Sequence, residues 1–163
     1  MSTLAPLIDA WDEGHREFGI ALGGLSDEDL WKRAHPRLLS VGELAAHIAY
    51  GQATWIFGEG NYRPELDKLP VQSPLIDNKF SYYLHTVDAP VQLEMGTEAV
   101  LEELMRVYGV SRAFVVNREI DDPYPGQWQT WGNLVQYQVF HIAYHTGQAY
   151  SVRHLMGHET EDN

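Results

Sequence analysis

The chain has 163 residues, 44% of them hydrophobic and 21% charged, which fits one ordinary globular domain with a real core. A net charge of -12 excludes a nucleic-acid binder driven by phosphate neutralisation and disfavours docking on an anionic membrane. The absence of cysteine removes disulfides, protein thiolates and Cys-based zinc sites together.

The first segment, Leu4 to about Leu25, reads as an amphipathic helix. Leu7, Ile8, Trp11, His15, Phe18 and Leu22 recur at three- and four-residue steps, and Gly23-Gly24 supplies a stop. Ser26 is the cap of a short helix expected to reach Ala34, with acids in its first turn and Pro36 beyond its end. Ser40-Val41-Gly42-Glu43 has the form of a capping box. It launches a second long helix to about Phe57, carrying Leu44, His47, Ile48, Gly51 and Trp55, and Gly58, Gly60 and Asn61 end it.

Residues 58–96 contain Pro64, Pro70, Pro74 and Pro90 and hold no sustained period, so no single long helix fits there. A connection of this length is a functional loop or holds short structure of its own. Pro74 to Val87 is the place for a short helix. A third long helix is expected from about Thr97 to Ile120, closed by Asp121-Asp122-Pro123. Thr130 or Asn133 caps the last one, which reaches about Met156 before Gly157. No internal repeat, heptad seam or low-complexity tract interrupts this pattern.

Four long amphipathic helices without a period-2 segment predict an all-α fold, a four-helix bundle with a long crossover between the second and third long helices. The crossover would let those two run roughly parallel. One domain should span residues 1–163. No apolar run reaches the ~18 residues of a membrane span. Met1 to Pro6 lacks the basic and apolar regions of a signal peptide, so a cytoplasmic location is the default expectation.

Histidine placement carries the chemistry. His141 and His145 stand four residues apart in continuous helix, so both rings lie on one face and can converge on one ion. On a helical wheel Leu134, Tyr137, His141, His145, Gln148, Val152 and Leu155 share about one 100° sector, which points the pair into the bundle. His154 and His158 have the same spacing but sit at the helix end beside an acidic tail, where cations are favoured for another reason. A third ligand must come from elsewhere. His47 is the first candidate, because Gly51 one turn on leaves room beside it. His15 is the rival, His35 is a surface or turn residue before Pro36, and His85 in the crossover could at most support the ligands from beside the site. Any one of these could be a hydrogen-bonded core residue; three neutral imidazoles converging in an apolar interior are harder to satisfy without an ion.

Ser40-Val41-Gly42-Glu43-Leu44-Ala45-Ala46-His47-Ile48-Ala49, followed far downstream by His141-x-x-x-His145-x-Gly147-Gln148, resembles the DinB/YfiT-like superfamily of bacterial metal-binding four-helix bundles. The likeness runs over nearly the full chain. It implies a three-His site for zinc or nickel on His47, His141 and His145, completed by water, in a protein that pairs as a homodimer. It also implies a transferase or isomerase activity with low-molecular-weight thiols.

Three neutral ligands with open positions describe a catalytic rather than a closed structural centre. A divalent ion there activates water or an incoming thiol, and without cysteine the thiol must be a cosubstrate. Glu43, one turn before His47, could serve as acid or base, although closing the capping box is its simpler role. Gln148 could orient a ligand ring, and Tyr137, Tyr50 and Tyr144 could line a pocket, although aromatics at helical spacing are more often core. Three classes follow: a metal-dependent transferase using a small thiol and a small-molecule substrate, a metal-dependent hydrolase, or a non-catalytic metal or small-ligand binder.

Overall fold

The computed structural model describes residues 3–61, 63–82 and 89–160. Five α-helices occur among them: α1 (Ala5–Leu22), α2 (Asp27–Leu30), α3 (Val41–Phe57), α4 (Thr97–Val115) and α5 (Trp131–Leu155). Extended structure among the described residues is limited to two isolated bridges, Thr3 with Glu119 and Pro123 with Thr130. No described helix is long and apolar enough to cross a membrane.

The four long helices form a ring in which α1 packs on α5, α5 on α3, α3 on α4 and α4 on α1. Side-chain contacts fix the directions. Tyr150 reaches Glu17 and Arg153 reaches the Ala21 carbonyl, so α1 and α5 run parallel. Gln52 bonds Ser111 and Phe57 meets Phe114, so α3 and α4 also run parallel, as a long crossover permits. His47 faces His145 while Trp55 faces Tyr137, which makes α3 and α5 antiparallel. This pair builds the site.

Local chemistry explains the helix starts. The Ser40 hydroxyl accepts from the Glu43 N–H at 3.2 Å, while the Glu43 carboxylate accepts from the Ser40 N–H at 2.8 Å, completing the capping box. At α5 it is Thr130, not Asn133, that caps, its hydroxyl accepting from the Asn133 N–H. α3 is the central helix: from Val41 to Thr54 every residue is buried. A helix enclosed this way is apolar nearly all round, and Glu43, His47, Gln52 and Thr54 are the exceptions needing partners.

Three boundaries differ from expectation. α2 stops at Leu30 rather than Ala34, because Trp31 turns inward, donates its indole N–H to the Met95 carbonyl at 2.7 Å and packs over Gly42. α4 stops at Val115 rather than Ile120, since the Ile120 and Asp122 carbonyls are taken by the N–H groups of Gly132 and Trp131 at the head of α5. In the crossover the helix expected after Pro74 is a single 3-10 turn at Asn78–Phe80, capped by Asp77, with another at Leu66–Lys68. Positions 83–87 of that expectation, His85 included, lie outside the described residues.

Candidate metal centre

His47 on α3 and His141 and His145 on α5 meet at the bundle wall, 4%, 2% and 7% exposed. They form one group whose ligand atoms all lie within 4.8 Å of one another. The Nε2 atom of His141 is 3.3 Å from that of His47 and 3.1 Å from that of His145. Gly51 makes this approach feasible, because a Cβ there would stand 3.3 Å from the His141 ring. Trp55 and Tyr137 enclose His141, the latter nearly parallel to it at 5.9 Å between centroids.

The outer nitrogens fix the tautomers. His47 Nδ1 lies 2.7 Å from the Phe80 carbonyl, which can only accept, so Nδ1 carries the proton and Nε2 presents a lone pair. His145 Nδ1 donates in the same way to Gln148 Oε1 at 2.7 Å, and the Gln148 amide in turn donates to the Tyr144 hydroxyl. Burial is the main reason all three imidazoles hold protons weakly. It pushes His145 down to about 4, and it lowers His47 and His141 as well, the latter further depressed by its two neighbours. At neutral pH the centre therefore sets at least two bare lone pairs against a third nitrogen. A single proton on His141 Nε2 satisfies that arrangement poorly.

A cation satisfies it well. Two nitrogens each ~2.1 Å from a tetrahedral ion stand about 3.4 Å apart, close to the spacings found here. Each ligand ring whose outer nitrogen is bonded to a carbonyl or amide oxygen is also held in orientation, the usual arrangement around a metal. The three buried histidines could hold a metal ion. Removing one orienting group should weaken the centre without removing a ligand: Gln148→Leu is expected to lower zinc affinity about 10–100-fold in a chelator competition titration, with unchanged stoichiometry at saturating metal.

The other described histidines are elsewhere. His15, the rival ligand, is fully buried between α1 and α4; its Nδ1 donates to the Trp11 carbonyl and its ring stacks on Tyr108 at 3.7 Å. Burial pushes it down to about 4, so it is a neutral core residue at physiological pH. His35 Nδ1 accepts from the Arg37 N–H in a turn, His158 pairs with Asp29, and His154 faces Thr160.

Of the candidate supporting groups, Gln148 and Tyr137 touch ligand rings, whereas Glu43 is committed away from the centre. Its carboxylate is fully buried and accepts from Arg33, the Ser40 and Val91 N–H groups and the Tyr82 hydroxyl. Tyr82, absent from the sequence reading, lies against His47 at 5.5 Å between centroids. Tyr50 bonds Asn78 in the 3-10 turn. A cleft of about 280 Å³ opens over the centre, with Leu39, Tyr82, Phe140 and Tyr144 around the three histidines.

No family model and no curated protein matches the sequence. A solved structure is similar to it: the conserved protein of a locus from Enterococcus faecalis, 18% identical, with a TM-score of 0.71 over 96% of this chain and 99% of that one. At that identity the likeness extends to the helical fold and no further.

Proposed function

We propose that the chain is a metal-dependent enzyme of the DinB-like type, a transferase that activates a low-molecular-weight thiol at a divalent zinc or nickel centre held by His47, His141 and His145. One observation carries this reading: three Nε2 atoms converge at the floor of an open cleft, two of them aimed there by bonds on the far side of the ring. A closed structural site would need a fourth protein ligand, and among the described residues the group contains three. A bound divalent ion supplies Lewis acidity that lowers the pKa of a thiol or water in the cleft.

The protein's own residues do the rest. Phe80 and Gln148 hold His47 and His145 in their tautomers, and Trp55 and Tyr137 keep water from the back of the His141 ring. Leu39, Phe140 and Tyr144 give the cleft an apolar wall against which a small substrate can shed water. The absence of cysteine means that no side chain of the protein competes with an incoming thiol.

Tag-free protein loaded with cobalt should change its visible absorption on addition of mercaptoethanol, and zinc analysis should return about one ion per chain. Cobalt spectra indifferent to thiol, together with metal-dependent cleavage of nitrophenyl acetate, would move the assignment to a hydrolase. Spectra indifferent to thiol, water analogues and substrates alike would leave a metal-binding protein without turnover. Protein that takes up no zinc, nickel or cobalt overturns the centre itself.

A further inference from the structure

The cleft over the histidines does not end at Tyr144. A second compartment of about 440 Å³ continues along α5, walled by Leu38, Leu39, Leu44, Gly147 and Val152, with Arg37 at its far lip. Leu39, Tyr144 and Gln148 border both compartments, so the two form one groove with an imidazole end and a guanidinium end. We propose that this groove binds a small organic acid, its carboxylate on Arg37, its apolar body along Leu38, Leu44 and Val152, and its opposite end facing the three imidazoles.

Arg37 is the charged residue lining this compartment. Most cations of this acidic chain are matched by a neighbouring acid: Arg16 by Glu13, Arg33 by Glu43, Arg106 by Glu103 and Arg112 by Asp12. Arg37 is exposed and has no ion pair among the described residues. A net charge of -12 repels anions in general, so an anionic ligand needs a local cation, and an arginine fork matches a carboxylate bidentately. The walls carry no second charge and are mainly aliphatic, which selects one anionic end on an apolar body rather than a polyanion such as a nucleotide.

Gly147 supplies the floor. It stands in the middle of α5, where glycine weakens a helix, and a Cβ built on it would meet nothing within 4 Å. The space above it is groove, so a larger side chain can enter without disturbing the bundle. As the acceptor of the thiol transferase inferred above, the acid would present its reactive carbon at the histidine end; in that sense the assignment rests on that reading. The groove is nonetheless built from protein alone, so ligand binding can be tested with and without metal.

The test is calorimetric titration of phenylbutyrate and its neutral amide, phenylbutyramide, into zinc-loaded and metal-free protein, beside Arg37→Gln and Gly147→Leu. The acid should bind about tenfold more tightly than the amide in both forms of the wild type. Arg37→Gln should erase that preference while leaving amide affinity and zinc content unchanged. Gly147→Leu should weaken both ligands about tenfold with melting temperature retained. Equal binding of acid and amide, a preference that survives Arg37→Gln, or no saturable binding of either compound overturns the assignment. A preference confined to zinc-loaded protein also overturns it, because the carboxylate then sits on the metal. Failure of the enzyme reading shows separately, as absent zinc or absent thiol response.

Discussion

His141→Ala is expected to reduce bound zinc from about one ion per chain to a trace and to abolish any zinc-dependent turnover. His141 is the centre of the group, its Nε2 lying 3.3 Å from one partner and 3.1 Å from the other. Removing it leaves two nitrogens from two different helices, which rarely hold a divalent ion against water. The effect is also thermodynamic. A ligand that binds only the native state stabilises it by RT ln(1 + [L]/Kd), ~4 kcal/mol at a thousandfold excess over Kd. For a chain of this length that is on the order of 10 °C in melting temperature. Zinc should therefore raise the wild-type melting temperature by about that much, a chelator should reverse it, and His141→Ala should respond to neither. His47→Ala and His145→Ala should behave alike, whereas His15→Phe should keep the full zinc response, since His15 bonds the Trp11 carbonyl and stacks on Tyr108 away from the group.

Protons give the same centre a second signature. The folded pKa of His145 lies near 4, and those of His47 and His141 are lowered too, all below the unfolded value of 6.5. Burial thus makes the unfolded chain the better proton acceptor. Metal-free protein should lose stability as pH falls from about 6.5 toward 4, and a denaturant melt series across that range measures the slope. Zinc at saturation should steepen it, because the ion takes the lone pairs in the folded state alone and protons on the unfolded histidines then compete with metal binding.

The part of this centre legible in the sequence is the part carried by periodicity. A capping box at Ser40 dates the start of α3, and from there His47 and Gly51 fall on the face that meets α5. The inward orientation of His141 and His145 follows from the wheel, and Gln148 follows His145 by one turn. The remainder lies in segments without a period. Nothing in a sequence marks the Phe80 carbonyl as the acceptor for His47, because a backbone oxygen has no residue type; the only trace is an apolar island, Leu75, Ile76 and Phe80, inside a proline-bearing connection. Trp31 ended α2 early for the same reason: its partner, the Met95 carbonyl, is 64 residues away. Tertiary contacts of that range override local propensity and cannot be read from neighbours. No local pattern marks Arg33, ten residues before Glu43, as the buried partner of that acid.

That partner sets the second large effect: Glu43→Ala is expected to destabilise the fold by about 3–5 kcal/mol, well over the cost of losing a helix cap alone. The Glu43 side chain is 0% exposed and that of Arg33 5%, with Nη2 and Oε1 2.5 Å apart. Truncating the acid leaves a guanidinium buried without its counter-charge. It also frees the N–H groups of Ser40 and Val91, and so loosens both the head of α3 and the end of the crossover. Arg33 extends the clamp by donating to the Ala89 carbonyl. The mutant should melt ~10 °C or more below wild type. Replacing both partners with apolar residues, as in Arg33→Met with Glu43→Leu, should recover much of the loss, since the net worth of a buried pair is small compared with the cost of breaking it. Acid supplies the sign. Burial alone would raise the Glu43 pKa, but the Arg33 guanidinium and the two backbone N–H groups together hold it below the ordinary 4.5. Its stabilisation is therefore complete above that value and is lost as pH falls through the lower folded pKa, and Glu43→Gln should remove this component of acid unfolding. Zinc content in Glu43→Gln separates the two roles open to this residue: a clamp leaves the stoichiometry at about one ion per chain, because the carboxylate touches no ligand nitrogen.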